Sequence, residues 1–416
     1  MIFRSLIGLF LFAGFAWCIS ENRRRFPWRI VLAGIAAQVL LAVVLLKFPL
    51  FTNLFVYLNR AVLALQESSQ AGTSFVFGYI GGGDPPFAVE QPHAMFILAF
   101  QALPLVLVIS ALSAVLFYWG VLPRIVRGFS WALEKGLKLG GAEGLGVSAN
   151  IFVGMVEAPL LVRPYIARMT RSELFTLMTS GMATIAGTVM VLYASILSRI
   201  IPDAVGHILT ASIISAPAAI VIAKIMIPES GTPTSGEMLT DENGACGAMD
   251  ALTRGTVQGM ELLLNIIGMI VVLVAVVHMA NLTLGLLPDA DGAPLTLQRV
   301  FGWFMAPVVW FMGVPWAEAH VAGSLLGTKT VLNELIAYVD MSNLPEGTLS
   351  PRSLIIMSYA LCGFANPGSL GIMLGGMGVM APGRRHEIVS LGFRAIVSGT
   401  LATCMTGAVI GLLYRH

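Results

Sequence analysis

The sequence predicts an all-α polytopic membrane protein with eight transmembrane helices and two oppositely oriented re-entrant hairpins that form an inverted repeat. Composition is the first argument: 57% of the 416 residues are hydrophobic and 11% are charged, whereas soluble domains carry about 25% charged residues. Long apolar segments are the second, since about 20 apolar residues cross a bilayer as a helix. The third is a pair of long apolar regions with polar, Gly-rich centres, one in each half of the chain.

The same composition excludes several classes of protein. The net charge is only +2, which does not support nucleic-acid binding. The four cysteines are scattered and the six histidines show no paired spacing, so neither a disulfide framework nor a metal motif is expected. No nucleophile–base spacing indicates an enzyme.

Full spans are expected wherever a long apolar run carries few charges. The first such run is interpreted as a retained span and not a signal peptide, because "ENRRR" follows it and no A-x-A-like cleavage site does. The eight expected spans are about 3–20, 28–48, 95–119, 173–198, 208–227, 258–282, 353–375 and 388–413.

Three further segments are not expected to cross the membrane. Residues 50–70 mix apolar and polar side chains at helical spacing, which favours an interfacial helix. The segments "GTSFVFGYIGGGDPPF" and "ESGTPTSGEMLTDENGACGAMD" are rich in Gly, Pro, Ser and Asp and are predicted to be loops.

Two apolar regions are predicted to be re-entrant hairpins, at about 129–168 and 300–340. Their centres read "GVSANIFVGMVEAP" and "AGSLLGTKTVLNE". Two helices of about 15 residues reach the middle of a bilayer and return. Such a turn is tolerated at depth only where protein or water covers it.

The distribution of Lys and Arg predicts the orientation. The basic segments "ENRRRFPWR", "LPRIVRGFSWALEKGLK" and "APGRRHE" are assigned to the cytoplasm, and the acidic or neutral "PDAVGH" and "VDMSNLPEG" to the outside. Both termini are therefore expected outside. Three full spans separate the hairpins, so the second hairpin enters from the side opposite to the first.

The segments that follow the two hairpins match each other, which defines an internal repeat. Glu157 follows the first tip and precedes the span containing "SGMATIAGTV"; Glu334 follows the second and precedes "CGFANPGSLG". We interpret both glutamates as buried acids at a midplane site. The chain is divided accordingly into scaffold and interfacial helices at 1–127, a first hairpin repeat at 128–227, a cytoplasmic loop at 228–257, a scaffold helix at 258–299 and a second hairpin repeat at 300–416.

Structural explanations compete with these functional ones. Ser and Thr in membrane helices often bond only their own backbone, so Thr184 or Ser369 alone is explained as well by packing. Lys329 lies close to Glu334 in the sequence, and an internal ion pair is the structural alternative for that acid.

Several segments resemble signatures of the concentrative nucleoside transporter family. They are "GTSFVFGYIGG", "GMVEAPLLVRPYI", "SGMATIAGTV", "GTKTVLNELIAY" and "SYALCGFANPGSLGI", and the similarity covers most of the chain. The resemblance implies a homotrimer of multi-pass protomers in the bacterial inner membrane. It also implies inward symport of nucleosides with Na⁺ or, in some bacterial members, H⁺.

The resemblance further implies site residues. Glu334, Asn366 and Ser369 match ribose-binding positions, and Phe364 lies with them. Positions lining the base pocket correspond to Gly154, Met155, Val156, Glu157 and Val189. At the Na⁺ site, Asn150 and Thr184 match side-chain oxygens, and Val153 and Ile185 match backbone carbonyls. No cofactor is expected apart from Na⁺ as the coupling ion, and the expected partners are the nucleoside, membrane lipid and two further subunits.

The first hairpin tip departs from the family pattern. Nucleoside carriers of this family usually have Gly-Gln-Thr-Glu there, and this chain has Gly154-Met155-Val156-Glu157. The base-binding amide and hydroxyl are replaced by apolar side chains, so base preference stays open.

Other functions are weighed against nucleoside symport. They are H⁺ coupling in place of Na⁺, a carrier of a nucleobase or sugar on the same fold, and a channel or structural membrane protein. A channel does not need two occluding hairpins, and a nucleobase lacks the vicinal hydroxyls that suit Glu334, Asn366 and Ser369.

Overall fold

The computed structural model describes residues 2–89, 95–234, 245–289 and 294–414, and all regular structure in these ranges is helical. The helices of the first half are α1 Ile2–Cys18, α2 Trp28–Lys47, α3 Pro49–Phe77, α4 Leu98–Gln101, α5 Leu105–Tyr118, α6 Val121–Leu137, α7 Gly141–Asn150, α8 Glu157–Leu161, α9 Arg163–Ile166, α10 Arg171–Ala183, α11 Gly187–Leu197 and α12 Ala204–Met226. Those of the second half are α13 Ala248–Leu284, α14 Leu297–Met312, α15 Trp316–Val331, α16 Glu334–Ser342, α17 Pro351–Leu361, α18 Pro367–Met380 and α19 Arg385–Leu413.

Six helices or helix pairs in the described residues are long and apolar enough to cross a membrane, and a seventh is counted if the bent pair α14–α15 is one span. The apolar helices α1 and α18 are shorter. Multi-pass architecture is thus confirmed, and the number of eight spans stays a prediction.

Two spans are interrupted near their centres, one in each half. Residues 184–186 separate α10 from α11, and residues 362–366 separate α17 from α18. The two breaks lie against each other, because a Cβ on Gly363 would be 2.9 Å from the Met182 carbonyl oxygen and 3.0 Å from that of Ala183. Glycine therefore permits the backbone of one break to contact the end of the other half's helix.

The first predicted hairpin contains the expected turn but begins later than expected. Helix α7 ends at Asn150 and α8 begins at Glu157, which leaves residues 151–156 as the tip. Residues 129–137, predicted to belong to the hairpin, are instead the end of the amphipathic helix α6. The tip is fixed to the neighbouring break by a 3.0 Å hydrogen bond from the Gly187 amide to the Phe152 carbonyl.

The second predicted hairpin has its turn at the end of the predicted centre "AGSLLGTKTVLNE", where Leu332 and Asn333 separate α15 from α16. The Gly-rich part of that centre, "AGSLLGTKT", is not in the turn but is helical within α15. Its glycines serve close packing: a Cβ on Gly323 would lie 2.7 Å from the Gly302 carbonyl oxygen of α14. Small residues at helix contacts are common in membranes, and the sequence pattern alone does not separate this use from a turn.

Two predicted loops also need comment. The prediction of a loop at "GTSFVF" was wrong, because α3 continues through Phe77. Of the second predicted loop, at 229–250, residues 235–244 lie outside the described residues, residues 229–234 are irregular and α13 begins at Ala248.

Burial differs sharply between the long helices. In α12, 94% of the most apolar window is buried inside the protein, whereas in α13 the fraction is 11%. Helix α13 packs against α5 through Gly255 and Gly259, four residues apart; a Cβ on Gly255 would lie 2.7 Å from the Ser110 carbonyl oxygen. The core therefore surrounds α12, and α13 forms an outer wall.

Candidate functional site

A cavity of about 140 Å³ lies between the first hairpin tip, α11, the start of α16, the break before α18, and α13. All nine residues predicted to bind substrate line it: Gly154, Met155, Val156, Glu157, Val189, Glu334, Phe364, Asn366 and Ser369. The structure thus brings together residues that are far apart in the sequence. Their roles in binding stay predictions.

Glu334 is bonded through both of its carboxylate oxygens. Its residue is only 4% exposed. One carboxylate oxygen accepts a 2.5 Å hydrogen bond from the Tyr193 hydroxyl, and the other accepts a 3.0 Å bond from Asn366 Nδ2. The carboxylate is therefore held between the two halves of the chain, since Tyr193 belongs to α11.

Helix capping explains why these side chains converge. Asn333 Oδ1 accepts from the Ile336 amide at 2.9 Å, which starts α16 with Glu334 as its first residue. Asn366 Oδ1 accepts from the Ser369 amide at 2.8 Å, which starts α18. Asparagine is a favoured N-cap because its side-chain oxygen satisfies an otherwise free backbone N–H. The sequence "NP" at 366–367 adds a proline at the first helical position, where its missing N–H costs nothing.

Lys329 does not pair with Glu334, so the ion-pair explanation for that acid was wrong. The Lys329 ammonium group is fully buried and donates 2.8 Å bonds to the Ala360 carbonyl and to Thr403 Oγ1. Ala360 lies in the last turn of α17, where free carbonyls and the helix dipole favour a cation. Lys329 therefore stabilises the helix end next to the break.

The first hairpin tip presents a different surface. Glu157 is exposed to the cavity, so the prediction of a buried acid was wrong for this residue. A Cβ on Gly154 would collide with the Glu157 carboxylate, which shows that this side chain folds back over the tip. Val156 packs against α18, because a Cβ on Gly376 would lie 2.9 Å from Val156 Cγ1.

The four residues predicted to bind Na⁺ lie where the first tip meets the α10–α11 break. Thr184 Oγ1 lies 2.9 Å from the Asn150 carbonyl oxygen and 2.8 Å from that of Ser180. Asn150 Nδ2 donates to the Leu177 carbonyl at 3.4 Å, and Asn150 Oδ1 is buried without a hydrogen-bond partner among the described residues. No hydrogen bond of the described chain ends on the carbonyl of Val153 or Ile185. These neutral oxygens fit a hard monovalent cation.

Several polar residues near the site escaped sequence reasoning. Tyr193, Asn333, Thr188 and Asn265 also line the cavity. Ser180 lies one turn before Thr184, and its hydroxyl is buried without a partner in the described chain. The pattern "LNELI" is typical of a helix N-cap and could have predicted the role of Asn333. A tyrosine within an apolar helix, such as Tyr193, is instead typical of a core residue.

Family models match most of the chain. Residues 7–80 and 207–411 match the N- and C-terminal models of the Na⁺-dependent nucleoside transporter, and residues 99–199 match a model described as nucleoside recognition.

Relatives and solved structures agree with these models. The chain is 31% identical to "Nucleoside permease NupC" of Helicobacter pylori, over 99% of this chain and 98% of the relative. It is 32% identical to "Putative nucleoside permease NupX" of Escherichia coli, over 99% and 98%. It is also similar to the solved structure of CNTnw in an inward-facing substrate-bound state, with 33% identity, a TM-score of 0.88, and coverage of 99% and 98%. These relatives are transporters and not enzymes, and the chain belongs to the concentrative nucleoside transporter family.

Proposed function

We propose that the protein is a Na⁺-coupled symporter that imports nucleosides and holds the ribose at Glu334, Asn366 and Ser369. The arrangement around Glu334 carries the proposal. An ionised carboxylate offers about four acceptor sites, and Tyr193 and Asn366 use two of them. The remaining sites suit two neighbouring sugar hydroxyls.

Asn366 and Ser369 complete the sugar set. The Asn366 amide has a second N–H that no bond of the described chain uses, and the Ser369 hydroxyl faces the same cavity. Donors and acceptors then alternate around vicinal hydroxyls, each of which both donates and accepts. A nucleobase lacks these hydroxyls, so the arrangement favours a nucleoside over a free base.

Na⁺ coupling is supported by the free oxygens around Asn150. Asn150 Oδ1 and Ser180 Oγ are buried and without partners in the described chain, and a buried polar oxygen is costly unless something binds it. Coupling to H⁺ is the second candidate, because the Glu157 carboxylate faces the cavity and takes part in no hydrogen bond with described residues.

Uptake by purified protein in liposomes tests the proposal. Uridine and adenosine uptake should require an inward Na⁺ gradient at fixed pH and should fall when choline replaces Na⁺. Asn150→Ala should need at least tenfold more Na⁺ for half-maximal uptake. Uptake that does not depend on Na⁺ and rises with an inward proton gradient would assign coupling to H⁺. Uptake of free bases or of ribose without uptake of nucleosides would reject nucleosides as the substrate.

We also propose a homotrimer in the bacterial inner membrane with both termini outside. The trimer is proposed from the family resemblance, and the apolar face of α13, of which only 11% of the most apolar window is buried within the protomer, is open to lipid or to another subunit. Native cysteines give a test of orientation: Cys18 and Cys246 are exposed, and Cys18 precedes "ENRRRFPWR" while Cys246 lies in the loop at 228–257, both of which are assigned to the cytoplasm. A membrane-impermeant maleimide should leave both unlabelled in intact spheroplasts and label both after lysis. Native mass spectrometry reads the number of subunits.

A further inference from the structure

The wall that α13 contributes to the cavity is apolar except for one amide. The lining residues recur at helical spacing, so they form one face: Leu262, Asn265, Ile266, Met269, Ile270 and Leu273. We propose that Asn265 binds the polar edge of the nucleobase and thereby lets the carrier discriminate a nucleobase from an apolar ring.

Asn265 lies at the cavity wall, and its residue is exposed. No hydrogen bond of the described chain involves its side chain, although other polar groups of the cavity are bonded to one another. An amide among apolar residues at membrane depth is unfavourable unless something binds it. Because its side chain faces the cavity, a bound solute supplies the missing hydrogen bonds.

The position of Asn265 along α13 points to the base and not to the sugar. Met269 and Leu273 lie against the start of α18, since a Cβ on Gly368 would be 2.9 Å from Met269 Cε and 3.7 Å from Leu273 Cδ1. Asn265 lies one helical turn before Met269, about 6 Å along the axis. It is therefore displaced from the sugar-binding end marked by Asn366.

The chemistry of the first tip leaves a role for such a group. Met155 and Val156 offer no hydrogen bond, and every natural nucleobase carries adjacent donors and acceptors on its edge. The Asn265 amide offers one donor group and one acceptor, and rotation by about 180° exchanges them. It therefore suits uracil, cytosine and adenine alike. Thr188 on α11 is the other unassigned polar side chain of the cavity without a partner in the described chain.

The inference rests on the proposed nucleoside binding, and the test separates the two. Binding of uridine and of a riboside whose base is an unsubstituted phenyl ring is measured by calorimetry on purified protein. Wild type should bind uridine at least tenfold more tightly than the phenyl riboside. In Asn265→Leu the uridine affinity should fall about tenfold, equivalent to about 1.4 kcal/mol, while the affinity for the phenyl riboside stays within twofold.

Two further variants keep the test decisive. Gln258→Leu, which removes an exposed amide from α13 outside the cavity lining, should leave both affinities unchanged. Asn265→Ser, which replaces the amide by a hydroxyl on a shorter side chain, should show the same loss of discrimination if the leucine variant does not fold. An unchanged ratio of the two affinities, or an equal loss for both ligands, overturns the inference; equal loss with altered subunit number assigns Asn265 to a subunit contact. Absence of nucleoside binding by wild type overturns the proposed function instead.

Discussion

The two hairpins end in turns of opposite character. The second tip places Glu334 in hydrogen bonds with Tyr193 and Asn366, and a buried lysine stabilises the neighbouring helix end. The first tip places apolar Met155 and Val156 beside Asn150, whose Oδ1 has no partner in the described chain. The polar side chains at the second tip are thus held in place by one another, whereas the first tip lies beside a buried oxygen that no described group binds. The two halves of the repeat therefore differ in how far their polar groups are positioned before a ligand binds.

Of these substitutions, Glu334→Gln should have the largest effect on nucleoside uptake. Both partners of the carboxylate are donors, and glutamine offers only one acceptor oxygen, so one donor loses its bond. Removing one partner of a buried charged hydrogen bond costs about 2–5 kcal/mol, which is enough to nearly abolish uptake. Uptake of uridine at matched expression measures it. Tyr193→Phe is the control, since it removes one bond, keeps the ring contact with Tyr338 and keeps the carboxylate, so it should retain more uptake than the Gln variant. A Gln variant with the uptake of wild type would remove Glu334 from the site.

Lys329→Met should weaken nucleoside binding by about tenfold. The substitution leaves the Ala360 carbonyl without its donor, and an unsatisfied buried group costs about 1–3 kcal/mol. Because Ala360 precedes the break that carries Asn366, the position of the sugar-binding amide should become less fixed. Calorimetry on purified protein measures the affinity. Thr403→Val keeps the charge of Lys329 and removes only one of its two acceptors, so this variant should bind nucleoside nearly as tightly as wild type. An equal loss of affinity in both variants would show that the charge of Lys329 is unimportant.

Sugar hydroxyls should matter more than any single base substituent. The sugar end has three polar side chains in contact through hydrogen bonds, whereas the first tip has none at Met155 and Val156. We expect 2′- and 3′-deoxynucleosides to compete at least tenfold more weakly than their parents, equivalent to about 1.4 kcal/mol. Competition against labelled uridine uptake measures this. Sharper discrimination among base analogues than among deoxy analogues would reverse the assignment of the two halves.

The smallest effect is expected at Glu21, between α1 and α2. Arg171 donates hydrogen bonds to its carboxylate and Arg394 pairs with it, which holds the pKa of Glu21 below its usual range. A lowered folded-state pKa stabilises the protein at neutral pH, and this stabilisation is lost as the pH falls through that pKa. These groups are partly exposed, so Glu21→Gln should cost less than about 1 kcal/mol.

Thermal unfolding followed by size-exclusion chromatography measures this cost. The difference between Glu21→Gln and wild type should shrink in high salt and disappear toward acidic pH. A difference that persists unchanged at low pH would contradict an electrostatic origin.

The sequence was sufficient to predict candidate site residues where a polar residue interrupts an apolar run. Glu334, Asn366 and Ser369 were recognisable because a buried acid and a broken helix are costly in a membrane and call for a reason. Glu157 followed the same rule, yet its side chain is exposed, since burial depends on how the tip folds and not on depth alone. The glycines of α15 were misread because close helix packing and tight turns favour the same residue.

Residues whose role depends on a partner far along the chain were missed. Tyr193 has the character of an ordinary core aromatic until its hydroxyl is seen 2.5 Å from Glu334. Asn265 lies in an apolar helix with no turn, cap or acid beside it, and only its place on the cavity face distinguishes it. Such contacts arise from tertiary packing, which local patterns do not contain.

Helix α13 is much longer than a bilayer is thick. Its 37 residues extend about 55 Å at 1.5 Å per residue, whereas the hydrocarbon core measures about 30 Å. The charged residues Asp250, Arg254 and Glu261 all lie in its first four turns, so this end of the helix extends beyond the part that is apolar enough to cross the hydrocarbon. Only 11% of the most apolar window of α13 is buried by the rest of the protomer, while residues of the same helix line the cavity. A single helix therefore separates the candidate binding site from the surroundings of the protomer.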